Sequence, residues 1–193
     1  MLTDVQIINL GLSKLASLRV STITPPRTPL ESFMGANYGH WKRTELTKNK
    51  WVFAVEDDYL LTLNDTLADV DQPYKYILPV DCLRPIRGKY TEWKQRGTYL
   101  YSANSTLKIS YIRNAAESEF DPLFNEVLAC KVAFESAEYV TQSSTKRAVA
   151  LQAYDDAISE AKKANAFVVG PEDVTFDDND FSWVTAHHNG GSW

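Results

Sequence analysis

YKYILPVDCLRPI, residues 74 to 86, sets an aromatic and aliphatic run on either side of Pro79 and Asp81. Proline has no backbone N–H and steers the residue before it, here Leu78, away from helical angles. A long helix is disfavoured, and the stretch reads as one extended segment bent in its middle, with an edge position or break at the proline. Upstream, KWVFAV at residues 50 to 55 follows a polar, lysine-containing helical stretch and opens a β-branched and aromatic run. A helix ends there and a strand begins.

Working outward, the pattern stays extended from Trp51 to Arg113. Strands are expected at residues 51 to 55, 59 to 63, 74 to 86, 98 to 103 and 106 to 112, separated by polar turns such as Asn64-Asp65 and Ala103-Asn104-Ser105. In TYLYSANSTLKISYI the last two lie close enough for a hairpin, with Leu107, Ile109 and Tyr111 alternating against Lys108 and Ser110.

Helical signals flank this region. Val5, Ile8, Leu12 and Leu15 recur at three or four residues, and Thr3 with Gln6 offers a capping box. Pro25 and Pro26 break the chain, after which Thr28-Pro29-Leu30-Glu31 supplies an N-cap, a first-turn proline and a box-forming glutamate. The second helix is expected over residues 29 to 49. Asp121-Pro122 starts a third, with Leu123, Val127, Cys130, Phe134 and Ala137 on one face and an end near Val140. After a break at Thr141 to Ser144, residues 145 to 165 carry Leu151, Tyr154, Ile158 and Ala161 beside a low-relief row of alanines. So short a connection implies an antiparallel pair.

The expected fold is α+β: a helical bundle formed by N- and C-terminal helices with an inserted small, mostly antiparallel β-sheet. Its segments are residues 1–50 and 116–166 for the bundle, 51–115 for the β insertion, and 167–193 for a tail.

Composition is that of a folded soluble chain, with 44% apolar and 23% charged residues among 193. No apolar run approaches the roughly 18 residues needed to span a bilayer. MLTDVQIINL lacks the basic start of a signal peptide, so synthesis in the cytoplasm is expected. The two cysteines, Cys82 and Cys130, read as buried free thiols. Of the 25 acidic residues, Glu172, Asp173, Asp177, Asp178 and Asp180 fall in the tail, which has no Lys or Arg. The preceding 166 residues balance 20 acidic against 20 basic, so the net charge of -5 belongs to the tail.

Several ordered motifs resemble the head-to-tail connector proteins of short-tailed bacteriophages, the adaptor or tail tubular A-type family, over roughly residues 3 to 166. A helix carrying Tyr38, Lys42 and Leu46 runs into Trp51-x-Phe53-Ala54; Leu78-Pro79-x-Asp81-Cys82-Leu83-Arg84 follows; Asp121 to Phe124 starts an alanine-rich helical pair. Lys50 stands where many relatives carry proline. The resemblance implies a virion protein with no enzymatic role. Such a subunit would form a ring, commonly dodecameric, between the portal protein and the tail nozzle (tail tubular B-type) protein. The ring would line a channel through which double-stranded DNA passes without sequence-specific binding. The alternative implied by some relatives is peptidoglycan hydrolysis, which needs two carboxylates facing across a glycan cleft.

The residues themselves offer no nucleophile, metal or phosphate motif, and no cofactor is expected. His40 stands apart from His187 and His188, and Asp57-Asp58 and Asp155-Asp156 read as solvated pairs or caps. A basic stretch is more distinctive: Arg84, Arg87, Lys89, Lys94 and Arg96 surround only Glu92, with Tyr90 and Trp93 interleaved. Phosphate contact and a solvated loop are both open readings, and a basic rim meeting an acidic portal or inter-subunit surface fits an assembly protein best. In the tail, Phe176, Phe181, Trp183 and Trp193 are candidate docking side chains, since such rings gain from burial on a neighbour.

Overall fold

The computed structural model describes residues 2–66, 71–86 and 92–169. Among the described residues four helices frame seven short strands: α1 Asp4–Lys14, α2 Pro29–Lys48, β1 Val55–Leu60, β2 Thr62–Thr66, β3 Tyr74–Ile77, β4 Cys82–Ile86, β5 Lys94–Arg96, β6 Tyr99–Ser102, β7 Lys108–Arg113, α3 Pro122–Thr141 and α4 Ser144–Val169. The fold is α+β, with the helices drawn from both ends of the chain.

Both capping boxes form. Thr3 and Gln6 exchange side-chain and backbone bonds at the start of α1, and Thr28 and Glu31 do the same at α2. Asp121 caps α3 by accepting from the Phe124 N–H at 2.7 Å. The third helix is central and touches the other three. It is buried around most of its circumference, including Val127, Leu128, Ala129, Val132 and Ala133, so the single stripe expected along it is too narrow a reading. Gly11 lets α1 lie against it, because a Cβ there would come within 2.6 Å of the Ala129 carbonyl oxygen and 2.8 Å of Val132. Gln142, in the left-handed region at φ 50°, closes α3, and Ser143 alone then separates it from α4. On α4 the buried row is Ala150, Tyr154 and Ala161, whereas Leu151 is 40% exposed, one step off the face assigned to it.

The β region is two antiparallel sheets rather than one. An inner sheet has the order β1-β7-β4 and an outer sheet β2-β3-β6-β5. The stretch 74–86 is accordingly two strands in different sheets, parted by residues 78–81, where Cys82 donates its N–H to the Pro79 carbonyl at 3.0 Å. Leu61, 4% exposed, marks the same kind of crossing between β1 and β2, with its N–H bonded to the Leu107 carbonyl at 3.0 Å. The hairpin expected from 98–103 and 106–112 does not form. Tyr99–Ser102 pairs with β3 and β5, and Lys108–Arg113 pairs with β1 and β4. These two strands stack rather than pair because Leu100 of one and Ile109 and Tyr111 of the other fill a shared core. The expected strand at 51–55 begins instead as a 3-10 turn, Val52–Ala54, and β5 was not foreseen.

Among the described residues two main cores follow from this layering, beside a small cluster of Leu15, Ala133, Ala137 and Ala150. The larger, under the bundle and inner sheet, holds Leu12, Met34, Trp51, Ile112 and Phe124; the smaller, between the sheets, holds Tyr76, Trp93, Leu100, Leu107 and Tyr111. Strand β7 serves both, sending Ile109 and Tyr111 to one side and Ile112 to the other.

Candidate functional site

The outward face of the outer sheet collects charge and aromatic surface. Strand pairing alone fixes which residues share it, since directly opposed residues project to one side. Lys75 lies opposite Tyr101, which lies opposite Lys94; Ile77 lies opposite Tyr99, which lies opposite Arg96. Two adjacent rungs therefore hold three cations, two tyrosines and an isoleucine. On the far edge Asp65 is in register with Lys75 and Thr62 with Ile77. Diagonal contacts tie the rungs together: the Lys75 ammonium sits 4.1 Å from the Tyr99 ring centre, and the Arg96 guanidinium 5.1 Å from that of Tyr101. A cation over a ring face is attracted by the ring quadrupole.

The reverse face explains why this one is solvated. Tyr76, Leu100 and Ser102 turn inward, and the Tyr76 hydroxyl donates to the Asn104 carbonyl at 2.7 Å. Burial raises the Tyr76 hydroxyl pKa, and the charge of neighbouring Tyr74 adds to the effect. Ser102 Oγ donates to the Glu92 carbonyl at 3.1 Å, which fastens the approach to β5. Gly97, at φ 61°, opens the two-residue turn from β5 to β6, where a side chain would be strained.

Of the expected basic residues, Lys94 and Arg96 come together here. Arg84 is on β4, paired with Ile112 in the inner sheet, and does not join them. Arg87 and Lys89 lie outside the described residues, as do Phe176, Phe181, Trp183 and Trp193. Trp93, expected as an interleaved surface ring, is 8% exposed and belongs to the smaller core. Lys75, Tyr99 and Tyr101 were missed. Their signal was the alternation in YKYI and YLYS, but only pairing could bring those strands beside β5.

Most of the resemblance motifs occupy a different place, the junction of bundle and inner sheet, whereas Leu78 and Cys82 pack against the smaller core. Trp51 meets Phe124 edge to face at 5.0 Å, and Phe53 packs against Phe120 and Phe124 at 5.5 and 5.0 Å. Lys42 lies 5.6 Å from the Phe120 ring centre and pairs with Glu117 at 3.1 Å. The Asp81 carbonyl accepts from the Asn114 N–H at 2.8 Å. These residues pack and connect.

A buried polar cluster joins α2, α3 and α4. Glu45 is fully buried and accepts from Tyr154 at 2.8 Å and from Lys48 at 2.8 Å, with Lys131 3.8 Å away. Lys131 also pairs with Glu135 at 2.6 Å. Burial pushes the Tyr154 hydroxyl up to about 12, against the hydrogen bond from Lys48. For Lys48 burial opposes the charged form, but hydrogen bonds to Glu45 and Tyr154 outweigh it and raise its pKa. With its charges paired, the cluster ties three helices together.

Both thiols stay protonated at neutral pH. Burial pushes Cys82 up to about 11, with Asp81 adding to it, and burial likewise raises Cys130. Cys130 lines a cleft of about 280 Å³ with Lys14, Leu15, Lys146 and Val149, between α1, α3 and α4. His40 and the two acidic pairs, Asp57-Asp58 and Asp155-Asp156, are exposed. Among the described residues no cluster of three His, Cys, Asp or Glu side chains is placed to hold a metal ion, and no helix is long and apolar enough to cross a membrane.

No protein-family model matches the chain, and no curated protein matches it in sequence.

Proposed function

We propose that this chain is a connector subunit of a short-tailed phage, forming a ring, dodecameric as in the family it resembles, between the portal and the tail nozzle. In the virion the ring lines the path of the ejected genome without sequence-specific contact. The observation that carries the reading is the order of the connector-like motifs along the chain, joined to their meeting in space. Tyr38, Lys42 and Leu46 on α2, Trp51 and Phe53 after it, and Phe124 on α3 all lie in or against one core. Residues far apart in the sequence thus make one structural unit, which is how motifs that define a fold behave. The mixed plan, bundle from both ends with strands between, is the α+β fold expected from the sequence.

The outward face of the outer sheet is the surface proposed for assembly. Lys75, Lys94 and Arg96 suit an acidic patch on a portal or neighbouring subunit, and an interface of that kind weakens with salt.

Sedimentation of the purified chain with rings of the cognate portal tests the reading. Stoichiometric co-sedimentation at physiological salt is expected. A folded chain that stays in the supernatant overturns the connector role.

A further inference from the structure

We propose that the cleft between α1, α3 and α4 binds a short amphipathic anion: a carboxylate, sulfonate or phosphate monoester carried on a single apolar chain. The cleft shares no residue with the outward face of the outer sheet, so its chemistry is independent of the connector role.

Its walls are small and apolar. Leu15, Ala133 and Ala150 are 4%, 1% and 7% exposed and belong to a cluster of their own, apart from the two larger cores. Ala153 continues the wall along α4, and Val149, 66% exposed, adds an apolar lip. The Cys130 thiol, held protonated by burial, acts there as one more small apolar group. The volume of about 280 Å³ falls just below the range of about 300–1,000 Å³ common for small-molecule pockets. That space suits one short chain or ring and is too small for a lipid with paired chains.

The charge on the cleft is positive. The Lys146 ammonium donates to the Leu15 carbonyl at 3.3 Å, which brings the end of α1 and the start of α4 together at the cleft. A neutral carbonyl takes one of its three donors and none of its charge. Lys14 is answered by Glu126, and Arg147 by Glu138 at 3.5 Å, whereas among the described residues no carboxylate pairs with Lys146. Thr145, also on the cleft, lies in the first turn of α4, a helix of 26 residues. N–H groups there lack partners within the helix, and the helix dipole favours an anion beside them. Ser143 Oγ accepts from the Lys146 N–H at 3.3 Å and leaves that of Thr145 to another acceptor.

An uncompensated ammonium, a helix N-terminus and an apolar slot thus adjoin one another. A bare anion forgoes the slot, and an apolar cation meets the wrong charge. A short chain with an anionic head satisfies both parts.

Amide NMR of the full chain with octanoate as the probe tests it. Saturable shifts are expected at residues 14–16, 130–133 and 145–153, with the amides of the outer sheet unmoved. Acetate, the head alone, should bind far more weakly, and octylammonium, the same chain with opposite charge, should leave these amides in place. Lys146→Gln should weaken octanoate about tenfold, the loss expected for one hydrogen bond to a charged group. Val149→Ser should weaken it about threefold through lost apolar contact. Both side chains are exposed, so neither variant threatens the fold. Absence of saturable shifts overturns the proposal. So do equal shifts with octylammonium, an affinity unchanged in Lys146→Gln, or shifts that map outside the cleft. Vesicles of phosphatidylglycerol, which carry an anionic head on paired chains, should leave the protein in solution; flotation with them overturns the assignment to a short ligand.

Discussion

The carboxylate of Glu45, wholly buried on α2, accepts a hydrogen bond from the Tyr154 hydroxyl on α4 at 2.8 Å, with Lys48 and Lys131 completing its surroundings. Removing the acid takes the buried acceptor from Tyr154 and Lys48, while Lys131 keeps Glu135 and Lys48 stays partly exposed; removing the hydroxyl leaves the acid still paired. Glu45→Ala is expected to cost about 2–3 kcal/mol. Tyr154→Phe is expected to cost about 1.5 kcal/mol, the low end for a hydrogen bond to a charged group. Urea unfolding of both single variants and the double variant measures it, and the double should fall short of the sum because the two groups touch.

Close approach of α1 and α3 depends on Gly11. Alanine is the better helix former by about 1 kcal/mol, yet its methyl would press on the Ala129 carbonyl, a backbone atom with little freedom to move. Gly11→Ala is expected to lower stability by about 1–3 kcal/mol. Thermal unfolding that rises on substitution would contradict this packing.

Acid should loosen the start of α2. The Glu31 carboxylate accepts from the Ser21 hydroxyl and from the backbone N–H groups of Ser21, Arg27 and Thr28 at 2.7 to 3.0 Å, which lowers its pKa from 4.5 to about 2. A depressed folded pKa means that these bonds stabilise fully above the unfolded value near 4.5 and are lost as pH falls toward about 2. Denaturation midpoints measured across that window should drop in wild type and change less in Glu31→Gln.

Two phenylalanines on α3 should respond differently. Phe124 is fully buried among Trp51, Phe53 and Phe120, so its alanine variant should lose about 3–5 kcal/mol. Phe134 is only half-buried, with Lys131 5.5 Å and Arg147 5.2 Å from its ring centre. Its loss should be nearer 1–2 kcal/mol, about half the burial value. Asp57→Asn and Asp58→Asn, at exposed positions of β1, should leave stability within about 0.5 kcal/mol. Asparagine also tolerates the left-handed angle at residue 58, φ 53°.

The helices were legible because their signals are local. Thr3 with Gln6, Thr28 with Glu31 and Asp121 with Pro122 each lie within four residues, and all three start helices as expected. The strands were legible as segments but not as partners. Nothing in TYLYSANSTLKISYI says that its two halves face each other across a core, because β6 takes its neighbours from residues 74–77 and 94–96. The candidate site suffered for the same reason. Lys94 and Arg96 were found from local charge, while Lys75, Tyr99 and Tyr101 become their neighbours only through register. Arg84 was grouped with them by proximity along the chain, and the sheets part them.

Strand β7, wedged between bundle and outer sheet, binds the fate of one to the other. Its side chains alternate, so a slip of one residue would carry Ile109 and Tyr111 toward the helices and Ile112 toward the outer layer, ruining both interiors at once. Neither layer can melt and leave the strand correctly seated for its neighbour. The molecule is therefore built to open as one cooperative unit, with the amides of residues 109 to 112 among the last to exchange with solvent. Whatever pulls on the outer sheet pulls through this strand on the helices as well.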